Sequence, residues 1–150
     1  MTLTKRFLLA ALLVMAVNGC SSTGYSTTTA LTVPRTIKAP ANVHPEIAPY
    51  VPRFVALLQS NGFLIGKSDD PRALELRMDF DPNIFTMRVT AALWKDGAPV
   101  VSGSATNSGW GTLLARGSAV NNLADSSWQE FALALQSFVT RVTILPDNKQ

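Results

Sequence analysis

The chain has 150 residues, of which 13 are basic, 10 are acidic and one is a histidine. This length suits one domain that buries roughly two thirds of its unfolded surface. The formal net charge of +3 falls to +1 without Lys5 and Arg6, and so small an excess argues against nucleic-acid binding, which requires a clustered basic face. The single cysteine excludes a disulfide within the chain, so the core alone must stabilise the fold.

Residues 1–19 have the layout of a bacterial secretory signal. Lys5 and Arg6 precede an unbroken apolar run of 11 residues from Phe7 to Val17, which is shorter than the ~20 residues of a membrane-spanning helix. Cys20 follows at the position where such a signal is cut. We expect lipid attachment at this cysteine, because its thiolate can act as the nucleophile. The alternative is an ordinary secretory signal followed by an unmodified cysteine.

The segment Val17-Asn18-Gly19-Cys20 resembles the lipobox of bacterial lipoproteins. This resemblance implies a diacylglyceryl group on Cys20, cleavage before that residue and a further acyl chain on the new amine. Several acyl chains would hold the protein at the membrane permanently, since each buried methylene adds ~0.8 kcal/mol. Ser21 resembles the pattern of Gram-negative lipoproteins sent to the outer membrane, with the domain on its periplasmic face.

Residues 20–42 are predicted to form a tether rich in Ser, Thr and Pro, and residues 43–150 a single domain. Extended, the tether would span about 70 Å. Thr28 to Val33 contains β-forming residues and is a candidate first strand. Prolines at positions 34, 40, 45, 49 and 52 interrupt any longer element before residue 52.

The next elements follow from hydrophobic periodicity. An apolar side predicts a helix over 51–60, Asn61-Gly62 supplies its left-handed stop, and Phe63 begins a strand. Strict alternation then predicts two strands, with inward residues Leu74, Leu76, Met78 and Phe80 on one and Phe85, Met87, Val89, Ala91 and Leu93 on the other.

Asp96-Gly97 is a strong hairpin signal. The return strand carries Val101, Gly103 and Ala105 on one face. These residues reach the inward side of the preceding strand only if the loop is longer than two residues and one residue is bulged, which we expect near Ala98-Pro99.

A last helix is predicted from a capping-box pattern at Ser127 and Glu130, with apolar residues at helical spacing as far as Val142 and Pro146 at its end. The resulting order is β-α-β-β-β-α. It predicts a two-layer α+β domain, in which an antiparallel sheet of about four strands is packed by two helices. Behind a lipobox, this order is similar in topology to small periplasmic lipoprotein domains such as the lipopolysaccharide-assembly lipoprotein.

Catalytic, metal and cofactor motifs are weak. Residues 62–68 look like a phosphate-binding loop, but they follow a helix where such a loop follows a strand. His44 lacks a second imidazole or a cysteine with which to share a metal. The charged row on the strand near Arg77 is the expected product of alternation. We therefore predict no catalytic residue, no metal and no cofactor, and a protein that is not an enzyme.

Trp110 lies between glycines, outside any periodic pattern, and Leu113 and Arg116 extend its apolar and basic character. Tryptophan is enriched at binding hot spots, so these three residues are the candidate partner-binding site. The alternative is that Trp110 folds back and closes the core.

The sequence thus predicts an outer-membrane lipoprotein with a non-enzymatic periplasmic domain that binds or scaffolds a protein or another envelope component. Its predicted partners are the membrane, through the lipid on Cys20, and an envelope protein or lipid; nucleic acid is excluded and the oligomeric state is open. Alternatives are an accessory of lipid or lipopolysaccharide transport, an immunity or inhibitor protein, and an envelope hydrolase, which the poor catalytic motifs disfavour.

Overall fold

The computed structural model of the protein describes residues 31–83, 85–109 and 116–146. These residues form two α-helices, seven strands and a single 3-10 turn at Ala48–Tyr50. The helices are α1 (Val51–Ser60) and α2 (Arg116–Val139). The strands are β1 (Leu31–Pro34), β2 (Thr36–Lys38), β3 (Leu64–Gly66), β4 (Glu75–Pro82), β5 (Thr86–Lys95), β6 (Ala98–Ser108) and β7 (Val142–Leu145).

Five strands make one mixed sheet in the order β3-β2-β4-β5-β6, and β1 and β7 form a separate parallel ribbon. Strand β2 is parallel to β3 and β4, whereas β4, β5 and β6 are antiparallel. The predicted α+β class is confirmed. The sheet has five strands where about four were expected, and β7 occupies residues that were assigned to the last helix. No helix in the described part of the chain is long and apolar enough to span a bilayer.

Strands β1 and β2 lie within the segment that was predicted to be a tether. Val33 and Ile37 have no exposed surface, and β1 pairs with β7 from Leu31 onward. Residues 31–38 therefore belong to the folded domain, because their apolar side chains fill its core. Residues 20–30 lie outside the described residues.

The alternating strands supply the sheet side of the core. The predicted inward residues of β4 and β5, and Leu74 directly before β4, are buried except for the partly covered Phe80. The buried set is Leu74, Leu76, Met78, Met87, Val89, Ala91 and Leu93. The prediction for Phe85 is wrong: β5 begins at Thr86, so Phe85 lies in the turn and is 53% exposed.

The β5–β6 hairpin turns through two residues with positive φ, Asp96 at 51° and Gly97 at 81°, as a type I′ turn requires. The expected longer loop is therefore wrong. The expected bulge is confirmed, one residue further along, because Trp94 pairs with Pro99 while Leu93 pairs with Val101. The bulge restores the register, so the inward faces of the two strands match.

The Ser127 to Glu130 pattern does not cap a helix, since α2 begins at Arg116. Ser127 is fully buried in the middle of α2, and its hydroxyl donates to the Gly103 carbonyl oxygen at 2.9 Å. The Glu130 carboxylate accepts the Ser104 backbone N–H at 3.0 Å. The same side chains that would satisfy a helix N-terminus thus attach the middle of α2 to β6.

The backbones of β6 and α2 approach each other closely at Gly103. A Cβ atom on this residue would lie 2.2 Å from the Ser127 carbonyl oxygen and 2.3 Å from the Phe131 nitrogen. No side chain fits in that space, so glycine is required for α2 to lie against β6.

We predict that Gly103→Ala lowers the free energy of unfolding by about 3 kcal/mol or more, because backbone atoms of α2 must move away from the sheet. Gly117→Ala is the matched control. Nothing lies within 4 Å of a Cβ at Gly117, so alanine there should be neutral or stabilise α2 by up to about 1 kcal/mol. Urea denaturation of both variants measures the difference, and equal stabilities would contradict the close contact.

Candidate functional site

A set of polar contacts joins the segment that leads into α1 to the first half of α2. All of these side chains are at least partly exposed, and each pair is separated by about seventy residues in sequence. The contacts are Glu46 with Arg116, Tyr50 with Asn121, and Arg53 with Asp125. The Arg53 guanidinium also lies 4.9 Å from the centre of the Trp128 ring. Together they align α1 and α2 on the same side of the sheet.

Arg116 is the predicted partner-binding residue that the structure describes. Its Nε donates to Glu46 Oε2 at 3.0 Å and its Nη2 to Oε1 at 2.5 Å. This bidentate pair, chiefly through its hydrogen bonds, lowers the pKa of Glu46. The guanidinium thus has an intramolecular partner while 52% of the side chain stays exposed. The other two predicted residues, Trp110 and Leu113, lie outside the described residues.

Several other groups lie at the end of the sheet where β4 ends, β5 begins and β6 ends. We name this the hairpin end, after the turn between β4 and β5; the Asp96-Gly97 turn lies at the opposite end of β5. The Gly109 N–H donates to the Phe85 carbonyl oxygen at 3.0 Å. The His44 ring packs edge-on against Phe80 with 5.0 Å between centres, and His44 Nδ1 accepts the Glu46 N–H at 3.3 Å. Through Glu46, these contacts connect the hairpin end to the start of α2.

Phe85 and Glu46 were not identified as site residues from the sequence. Phe85 continues an alternating pattern, which assigned it to the core. Glu46 stands alone among prolines, and its partner Arg116 is 70 residues away. A local pattern contains no signal for such a pair.

The carboxyl groups with shifted pKa values all shift downward. Those of Glu46, Asp70 and Glu75 are lowered, each mainly by hydrogen bonds from one arginine, namely Arg116, Arg72 and Arg77. Carboxylates held in this way remain ionised and act as charge partners; a general acid needs the opposite shift. In the described part of the chain, no group of three His, Cys, Asp or Glu side chains could hold a metal ion.

The outer face of the sheet, opposite α2, carries ordered contacts between side chains of the same strand and of neighbouring strands. The Arg77 guanidinium lies 4.7 Å from the centre of the Trp94 ring and pairs with Glu75 at 2.8 Å. The hydroxyls of Thr90 and Ser104 lie 3.1 Å apart. The charged row is therefore used for pairing between side chains, although its ion pair lies within β4 and the cross-strand contact of Arg77 is with the Trp94 ring.

No family model matches the chain, and no curated protein matches it. Among solved structures it is similar to a candidate lipoprotein from Caulobacter crescentus, at 15% identity over 71% of this chain and 90% of that one, with a TM-score of 0.39. A minor lipoprotein from Acinetobacter baumannii is 14% identical over 71% of this chain and 90% of that one, with a TM-score of 0.34. The chain of a PelC dodecamer from Paraburkholderia phytofirmans is 15% identical over 77% of this chain and 88% of that one, with a TM-score of 0.34. Likenesses this weak carry no activity, partner or assembly over to this chain.

The Glu46–Arg116 pair gives a prediction for acid solution. Because folding lowers the pKa of Glu46 below its usual 4.5, the pair stabilises the fold above that pH, and this contribution is lost as the pH falls through the lower folded-state value. Wild type should exceed Glu46→Gln in stability at neutral pH by a small amount, as expected of an exposed pair, and the difference should vanish in acid.

Thermal unfolding as a function of pH measures this difference. In an Arg116→Gln background the effect of Glu46→Gln should lose most of its pH dependence, which assigns the effect to the pair. If Glu46→Gln changed stability equally at all pH values, or equally in both backgrounds, the pair would not be the cause.

Proposed function

We propose that the chain is an outer-membrane lipoprotein, anchored through Cys20, whose periplasmic domain is a non-enzymatic binding module for a protein or another envelope component. The observation that carries the binding proposal is the exposed Phe85 at the hairpin end, hydrogen-bonded through its carbonyl to Gly109. Gly109 directly precedes Trp110 in the chain. Trp110 is therefore the proposed second aromatic contact beside Phe85.

The chemistry of this end favours protein recognition. Aromatic side chains dominate binding hot spots, and polar groups around them exclude water from the contact. Phe85 supplies the described aromatic anchor, Trp110 and Leu113 are the proposed further anchors, and Arg116 supplies a charged rim. Because Glu46 pairs with Arg116 and orients its guanidinium, the rim is pre-organised and loses little side-chain entropy on binding.

The carboxylate environments support binding over catalysis. Glu46, Asp70 and Glu75 are each held by an arginine that lowers their pKa, whereas hydrolysis by paired carboxyl groups needs one with a raised pKa. An anchored domain also needs only modest affinity, because attachment to one membrane raises its effective concentration for other membrane-bound partners.

The anchor is tested by mass spectrometry of the protein purified from its native envelope. We expect wild type to begin at Cys20 and to carry a diacylglyceryl group and an amide-linked acyl chain. Cys20→Ser should carry neither, since serine has no thiolate to accept the first group. An unmodified Cys20 in the mature wild-type protein would contradict the anchor.

The contact surface is tested by crosslinking in cells followed by capture of the acylated protein. Phe85→Ser and Trp110→Ala should each lose most of the partner that wild type captures, because truncating an aromatic hot spot weakens binding by roughly 30-fold. Leu133→Ser is the matched control, since Leu133 is a large apolar residue that is 68% exposed on α2, and it should capture the partner normally. Equal capture by all four proteins would refute the hairpin end as the contact surface.

A further inference from the structure

A cleft of about 920 Å³ opens where β4 begins, at the opposite end of that strand from the hairpin end. One wall is the loop 67–72, and the other consists of the ends of β1 and β7, with Pro34 and Leu145. A smaller adjoining space of about 310 Å³ extends the cleft to Lys38 and shares residues 67–69 with it. No residue of the cleft takes part in the contacts of the hairpin end.

Two lysines lie side by side at this cleft. Lys38 ends β2 and is in register with Gly66 at the end of β3, and Lys67 follows directly. Neighbouring strands are about 4.8 Å apart, so the backbones of the two lysines are close. Within the described residues neither ammonium group forms an ion pair. Both lysines line the smaller space, so an anion bound there would be attracted by two positive charges.

The acidic residues of the cleft only partly offset these charges. The Asp70 carboxylate already has a partner. It accepts hydrogen bonds from the Arg72 backbone N–H at 2.8 Å and from the Arg72 guanidinium at 3.1 and 2.9 Å. Its pKa is lowered, chiefly by these hydrogen bonds and to a lesser extent by the charge of Lys38. The positive charge of Lys38 therefore acts on the cleft. Glu75 lies in register with Lys38 but is paired with Arg77, so Asp69 is the remaining acidic group of the cleft that opposes an anion.

A hydroxyl group completes the site. Ser68 Oγ accepts the Asp70 N–H at 3.3 Å, which leaves the hydroxyl hydrogen of Ser68 able to donate to a ligand. Two ammonium groups and a hydroxyl match the several acceptor oxygens of a phosphate group, and lysine binds phosphate as a point charge.

We propose that this cleft binds a phosphate group between Lys38 and Lys67, with Ser68 as a further donor. The group belongs either to a soluble phosphate compound or to the headgroup of an anionic lipid, since the recognised chemistry is the same. The site does not depend on the proposed partner contact at the hairpin end. It also differs from a nucleotide-binding loop, because side chains hold the anion and loop 67–72 leads into β4 without a helix.

The test uses the full-length chain carrying Cys20→Ser in a non-ionic detergent. Backbone amide shifts of residues 66–72 are followed by NMR during titration with inorganic phosphate and, separately, with dihexanoyl phosphatidylglycerol. Both Lys38→Gln and Lys67→Gln should weaken binding by about threefold to fivefold, the effect of one exposed charge pair. Asp69→Asn should strengthen binding by a similar factor. Arg88→Gln removes one positive charge from the outer face of the sheet and should leave the affinity unchanged.

Saturable shifts that respond to the variants in this way support the proposal. If phosphate alone binds, the ligand is a soluble phosphate compound; if the lipid alone binds, it is a headgroup; if both bind, the site recognises the phosphate group in either. Absence of saturation with both ligands would overturn the proposal. So would an affinity that falls as much in Arg88→Gln as in Lys67→Gln, since the effect would then be one of net charge.

Discussion

The contact between α2 and β6 at Gly103 determines how the two layers of this domain fit together. Because Gly103 has no side chain, the backbone of α2 lies directly against the strand, and two hydrogen bonds, from Ser127 to Gly103 and from Ser104 to Glu130, fix the helix there. With this point fixed, Phe131 and Leu135 face the sheet and are fully buried. Phe131 also meets Phe54 of α1 edge-on at 5.4 Å, so the same part of α2 packs against both the sheet and α1.

The polar contacts along α1 and α2 act differently from this core contact. They are exposed, and exposed pairs contribute little stability. Their effect is on geometry, because they fix the start of α2 relative to Glu46 and His44, and His44 in turn packs on Phe80. The hairpin end of the sheet is therefore also joined to α2. A contact surface on this end is held by rigid elements on each side, which lowers the entropy lost when a partner binds.

The sequence predicted those parts of the fold that depend on local patterns. Alternation identified β4 and β5, and Asp96-Gly97 identified the hairpin, because side-chain period and turn chemistry are properties of a few adjacent residues. It could not predict how Ser127 and Glu130 are used, since their spacing suits both a helix N-terminus and an attachment to a strand. The parallel pairing of β1 with β7, the pair of Glu46 with Arg116 and the proximity of Lys38 to Lys67 depend on residues distant in the chain. Such contacts form only after folding, so the hydrophobic periodicity of the sequence cannot predict them.

The two proposed surfaces are separated by the length of β4. The strand runs from Glu75, in register with Lys38, to Pro82 at the hairpin end, and eight residues at about 3.3 Å each span roughly 25 Å. Along this length β4 pairs with β5 at every position from Glu75 to Pro82. Coupling between distant sites requires an element with two alternative arrangements, and a continuously paired strand does not provide one. A phosphate group in the cleft and a partner at the hairpin end should therefore bind independently, so the domain could hold both at the same time.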